Sequence, residues 1–138
     1  MKKCYVFDAC AFIALFKKEI GYENVLSLLE QAENREVYIV MNKINLLEIY
    51  YDFYRSVGSE KAMQVFEMIK NTPIIINDMV SDELFFEAGR IKAQYKLSLA
   101  DSLALAETKI NNASLLTADH HEFDIVEQKE NISFCWLR

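Results

Sequence analysis

Glycine and proline are scarce, at 3 and 1 of 138 residues. That argues against a loop-rich, low-complexity or collagen-like chain. Cysteine is sparse and scattered, at Cys4, Cys10 and Cys135. With no C-x-x-C pair and no Cys/His cluster, the chain reads as reduced and lacks the pattern of a zinc site. Long apolar runs are missing too, and no uncharged stretch approaches the ~20 residues that span a bilayer. Lys2 and Lys3 precede an apolar run to Phe16, as in a signal peptide. Asp8 interrupts that run, and Lys17, Lys18 and Glu19 follow it in place of a small-residue cleavage site. A soluble, cytoplasmic protein with no membrane association is therefore expected. Positive charge is also short: 15 basic against 21 acidic residues leave a net charge of −6. This weighs against tight non-specific binding to nucleic acid, but it leaves room for binding through metal ions and a local basic patch.

What is present is an apolar fraction of 52% in periodic runs that extend nearly end to end. With no linker or internal repeat, residues 1–138 read as a single domain. Strands are expected at Cys4–Phe7, Val37–Val40, Ile74–Ile76, Ser114–Thr117 and Ile132–Phe134. The helices expected between them are Ala9–Lys18, Tyr22–Asn34 and Ile44–Arg55, with Gly58 as the stop. Further helices begin at Ser59, at Ser81, and at the S-x-x-D start Ser98–Asp101. Inward stripes are assigned to Leu47, Tyr50, Tyr51 and Tyr54, then to Ala62, Val65, Phe66 and Ile69, then to Leu84, Phe85, Ala88 and Ile91. Strands separated by helices imply an α/β fold of three layers, with a mainly parallel sheet and helices on both faces. Such sheets place their sites beyond the carboxyl ends of the strands.

Four acids stand apart. Asp8, Glu48 and Asp101 are each the only charge in an apolar run, and Asp119 closes another. Singly, each has an ordinary explanation: a dipole partner for Asp101, a turn for Asp119, a half-exposed helix position for Glu48. Together they are harder to dismiss. A buried carboxylate is costly unless it is paired or coordinates a metal, and no Lys or Arg lies in their immediate flanks. If the fold converges them, some must take up protons or a cation must bind. Oxygen ligands of this kind suit Mg²⁺ or Mn²⁺.

The segments YVFDACAFIALF, INLLEIYYDF and LSLADSLALAETKINNASLLTADHHEF, followed by a terminal strand, resemble PIN domains in the order they occur. The resemblance is strongest to the VapC-type toxins of bacterial toxin–antitoxin pairs. It implies a parallel sheet of about five strands, a carboxylate pocket holding one or two divalent ions, and phosphodiester cleavage of RNA. Asp8, Glu48, Asp101 and Asp119 match the family's four acids, and Thr117 the hydroxyl often found before the fourth. Cys10 stands where Ser or Asn is common, and His120 and His121 follow Asp119 where a basic residue is common. The resemblance also implies a homodimer and a small cognate antitoxin.

Asn45, one turn before Glu48, could orient that acid, although a surface amide is its ordinary reading. Lys43, Arg55, Lys92 and Lys96 could form an RNA-facing patch, and Asp124 could be an extra ligand. His120 and His121 read as a solvated loop. Cys10 has no nearby His and does not read as a nucleophile. A PIN nuclease of RNA processing, or a non-catalytic module that keeps only the fold, are the competing readings.

Overall fold

The computed structural model describes residues 2–138. Strand β1 (Lys3–Phe7) leads into helices α1 (Ala9–Lys17) and α2 (Tyr22–Glu33), then β2 (Val37–Asn42). Helices α3 (Lys43–Val57) and α4 (Ser59–Lys70) precede β3 (Ile75–Asn77). Next come α5 (Asp82–Gln94), α6 (Leu99–Ile110), β4 (Ser114–Thr117), α7 (His120–Lys129) and β5 (Ser133–Trp136). The expected strands fall within a few residues of these bounds, and Ser114–Thr117 coincides with β4.

All four strand pairings are parallel, in the order β3-β2-β1-β4-β5. Successive strand residues face opposite layers, as a pleated strand requires. Phe7, Ile39, Met41 and Leu116 enter a core shared with α1, α2, α3 and α4. Val6, Val40 and Leu115 enter a second core with α5, α6 and α7. This is the expected three-layer α/β arrangement. From β1 the chain builds outward through β2 to β3, then returns to place β4 on the other side of β1. The crevice beyond β1 and β4 is thus the switch point where sheets of this type carry their sites.

Polar side chains at strand ends and in the connecting loops start five of the helices. Asp8, Asn42, Ser81, Ser98 and Asp119 each accept a hydrogen bond from a main-chain N–H in the first turn of the helix they precede. The S-x-x-D start is seen as expected, with Ser98 Oγ accepting from Asp101 N–H at 3.1 Å.

Three expectations need correction. The inward stripe of α3 is Leu46 and Ile49, while Leu47, Tyr51 and Tyr54 are exposed. Phe85, expected inside α5, is exposed beside Phe86. The segment after Asp119 is helix α7, not a solvated loop; only Phe123 and Val126 anchor it in the core, a stripe too thin to read by period.

Candidate metal centre

Asp8 follows β1 directly and is only 4% exposed. Its Oδ1 accepts from the Cys10 N–H at 2.9 Å, and the nearby Thr117 hydroxyl also favours its charged form. These two donors do not offset the loss of water. Burial pushes the carboxyl up to about 7, with the negative charges of Asp101 and Glu48 adding to the effect. Asp101 sits in the first turn of α6 and is pushed up to about 6, first by burial, then by Asp119 and Glu122 against the opposing bond from Ser98. Glu48, on α3, is raised by burial and then by Asp101, while Asn45 opposes the shift. Asp119 follows β4; its N–H donates to Thr117 Oγ1 at 3.2 Å, and its Oδ1 accepts from Glu122 N–H at 3.2 Å.

The four sequence-selected acids therefore lie within electrostatic reach of one another at the carboxyl edge of the sheet. No cationic side chain is among the groups acting on Asp8, Glu48 or Asp101. Among the described residues, no group of three or more His, Cys, Asp or Glu side chains is placed so that it could hold a metal ion as it stands. A closed site of the structural-zinc type would need one. The all-oxygen, uncompensated set instead fits a hard divalent ion that keeps several waters and takes few protein ligands.

Asn45, whose ordinary reading is a surface amide, is not at the surface. It is fully buried, donating to the Ala100 carbonyl at 3.1 Å and standing 3.5 Å from Glu48 Oε1. Its Oδ1 has no hydrogen-bond partner among the described residues. Thr117 is buried beneath Asp8 and Asp119, linking the first acid to the fourth. The Cys10 thiol is pushed up to about 12 by burial and by Asp8, so it stays protonated, while its main-chain N–H is what holds Asp8.

His120 is pinned. It stacks on Trp136 at 3.7 Å between centroids, bonds Asp124 at 2.8 Å and meets the Arg138 carbonyl at 2.8 Å. Asp124 is therefore engaged with His120, which tells against its use as an extra ligand. His121 is exposed. Lys43, Arg55, Lys92 and Lys96 are all exposed, on α3, on α5 and just past its end.

One further acid is buried without having stood out in the sequence. Glu107 on α6 is 1% exposed, and its carboxylate accepts from the side-chain amides of Asn42 at 3.1 Å, Asn111 at 3.0 Å and Asn77. A sequence signal exists: Glu107 closes the apolar run Leu103–Ala106 much as Asp119 closes its own. The two environments differ in kind. Glu107 is satisfied by neutral donors, whereas Asp8, Asp101 and Glu48 crowd like charge on like charge.

The comparisons with known proteins agree with this architecture. A family model described as PIN domain matches residues 5–129. Among curated protein sequences, none matches the chain. Solved structures do. The VapBC2 complex from Rickettsia felis, bound to a DNA fragment from its promoter, holds a similar chain with a TM-score of 0.73. The match has 21% identity and covers 96% of this chain and 98% of that one. The DNA-bound VapBC complex from Salmonella typhimurium gives 0.73 at 18% identity, covering all of both chains. VapBC-1 from nontypeable Haemophilus influenzae gives 0.72 at 18% identity, covering 97% and 98%. At these identities the likeness is one of fold.

Proposed function

The chain belongs to the PIN-domain family, and on that premise we propose that it is a divalent-metal-dependent endoribonuclease, the toxin of a toxin–antitoxin pair. The observation that carries this reading is the convergence of Asp8, Glu48, Asp101 and Asp119 without a cation. Asp8, Asp101 and Asp119 would hold Mg²⁺ or Mn²⁺ directly, and Glu48 directly or through water. When bound, such an ion supplies activation of a water and neutralisation of charge on the phosphate.

The chain's own residues do the remainder. The Cys10 N–H and the Thr117 hydroxyl fix the Asp8 carboxylate, and Asp8 and Asp101 must release their protons before they can ligate. Asn45 holds Glu48 toward the start of α6. No side chain serves as a covalent nucleophile, since the one thiol nearby stays protonated.

The partners follow from the same reading. The solved neighbours are toxin–antitoxin complexes, and an acidic chain with an acid-lined site suits a basic inhibitory segment better than bulk RNA. A cleft of about 240 Å³ between α3 and α4, lined by Leu46, Leu47, Tyr50, Met63, Phe66 and Lys43, offers apolar grip for such a segment. The exposed Phe85, Phe86, Val80 and Leu99 around α5 and α6 support a homodimer. No helix among the described residues is long and apolar enough to cross a membrane, in keeping with a cytoplasmic site of action on RNA.

The test is expression in a bacterial host. The wild type alone should arrest growth, Asp8→Asn should not, and co-expression of the neighbouring small gene product should rescue. Harmless expression of a folded, RNA-cleaving wild type would favour a processing nuclease instead.

A further inference from the structure

Glu107 is a buried carboxylate that takes no part in the chemistry proposed above, and its donors explain why no cation is needed there. Oε1 accepts from the amides of Asn42 and Asn77, and Oε2 from that of Asn111. The orientation of two of these amides is set independently. Asn42 Oδ1 accepts from Ile44 N–H at 2.9 Å, and Asn77 Oδ1 accepts from Met79 N–H at 3.1 Å. With both oxygens committed to the main chain, both NH₂ groups must face Glu107. Asn42 and Asn77 are paired in register at the carboxyl ends of β2 and β3, so one acid on α6 bolts that helix to the ends of two strands.

Asn42 is also the residue from which α3 departs. Helix α3 is thereby tied to α6 at two points: Asn45 to Ala100 in the first turn of α6, and Asn42 to Glu107 two turns further on. Two ties fix an angle, whereas one leaves a pivot. Glu48 rides on α3 and Asp101 on α6. We infer that Glu107, acting through Asn42, is a positioning residue that sets the placement of Glu48 against Asp101. Glu107 touches neither acid of that pair; it works through the helix start that Asn42 caps. The inference rests on the functional reading above for its consequence, and on the hydrogen bonds alone for its geometry.

Asn42→Ser separates the two jobs of Asn42, because a serine hydroxyl still caps α3 but has no amide for Glu107. Asn77→Ser removes the same kind of bond from the same carboxylate without a link to α3. Two readouts follow for the metal-free full chain and its titration with Mn²⁺. Amide hydrogen exchange in α3 and the first turn of α6 should quicken selectively in Asn42→Ser and stay as wild type in Asn77→Ser. Mn²⁺ affinity by calorimetry should fall about tenfold or more in Asn42→Ser, the usual effect of losing an outer support, and hold in Asn77→Ser. Asn42→Thr repeats the test with another hydroxyl cap should Asn42→Ser not fold. Equal effects of the Asn42 and Asn77 variants, or no selective change in α3, would overturn the inference and leave Glu107 a general structural acid. Failure of the functional reading shows elsewhere, as a wild type that binds no Mn²⁺ while the exchange result still decides the tie.

Discussion

Asn45 donates its side-chain amide to the carbonyl of Ala100 at 3.1 Å, so the helix carrying Glu48 is fastened to the residue just before Asp101. Both groups are buried, and the Ala100 carbonyl keeps its own helical bond when the amide is removed. Asn45→Ala should destabilise the protein by about 0.5–1.5 kcal/mol, the net worth of one such hydrogen bond. Urea unfolding would measure it. A change under ~0.5 kcal/mol would mean that the bond contributes nothing net.

Proton affinity at the site gives a pH dependence whose sign is fixed. The folded Asp8 carboxyl is raised from the ordinary 3.8 to about 7, and Asp101 to about 6. Between those values the folded state holds protons that the unfolded state has released. The contribution of these two acids to metal-free stability is therefore full below about pH 4 and is lost as pH rises toward about 7. For Asp8 alone this amounts to a few kcal/mol, at about 1.4 kcal/mol for each tenfold change in proton affinity. Thermal melts of metal-free protein across that range should show the decline, and Asp8→Asn should flatten it. A stability that instead rises from pH 4 to 7 in both proteins would contradict the assignment.

On the proposed reading, metal binding should reverse that loss. A ligand bound only by the native state adds about 2.7 kcal/mol at 100 times its dissociation constant. Mn²⁺ should therefore raise the melting temperature, and more at pH 8 than at about pH 5, because the acids must be deprotonated to ligate. A basic inhibitory peptide that reaches the same carboxylates should compete with Mn²⁺ in the same melts. An unchanged curve at millimolar Mn²⁺ at both pH values would count against a shared metal pocket.

The glycines separate close approach from mere permissiveness. Gly21 has φ +96°, and a Cβ there would stand 2.3 Å from the Leu137 carbonyl oxygen. Gly21→Ala should cost well over about 1 kcal/mol, since backbone on both sides must shift. Gly89 lies within α5, where an alanine methyl would meet open space. Gly89→Ala should therefore stabilise by about 0.5–1 kcal/mol. Paired denaturation curves would show the opposite signs.

Much of this is legible in the sequence because lone acids in apolar runs are rare enough to notice. Asp8, Glu48, Asp101 and Asp119 stand out that way, and the fold draws them together. The burial of Asn45 is not legible, and that of Glu107 is marked only by its place at the end of an apolar run, because an amide or acid satisfied by distant partners looks like a surface residue in one dimension. Glu107 meets Asn42 across 65 positions of chain. Helix α7 is hidden because Asp119 serves two roles, closing β4 and capping the next helix, and the capping role reads as a turn. The stripe of α3 is rotated from its expected face because Leu47, Tyr51 and Tyr54 carry a helical period of their own on the exposed side. Tyrosine, apolar in body and polar at its tip, fits either face.

If these carboxylates hold a metal for RNA cleavage, a cleavage assay on a defined RNA pool with mapped ends should reveal it. Wild type should cut with Mn²⁺ and not in EDTA. Asp8→Asn, Asp101→Asn and Asp119→Asn should each lose cleavage while remaining folded, since an amide is a weak neutral ligand that cannot balance the ion's charge. Cys10→Ser and Asp124→Asn should retain most activity, because neither side chain is assigned to the ion. Wild-type rates from Asp101→Asn, or cutting by wild type that persists in EDTA, would contradict the account.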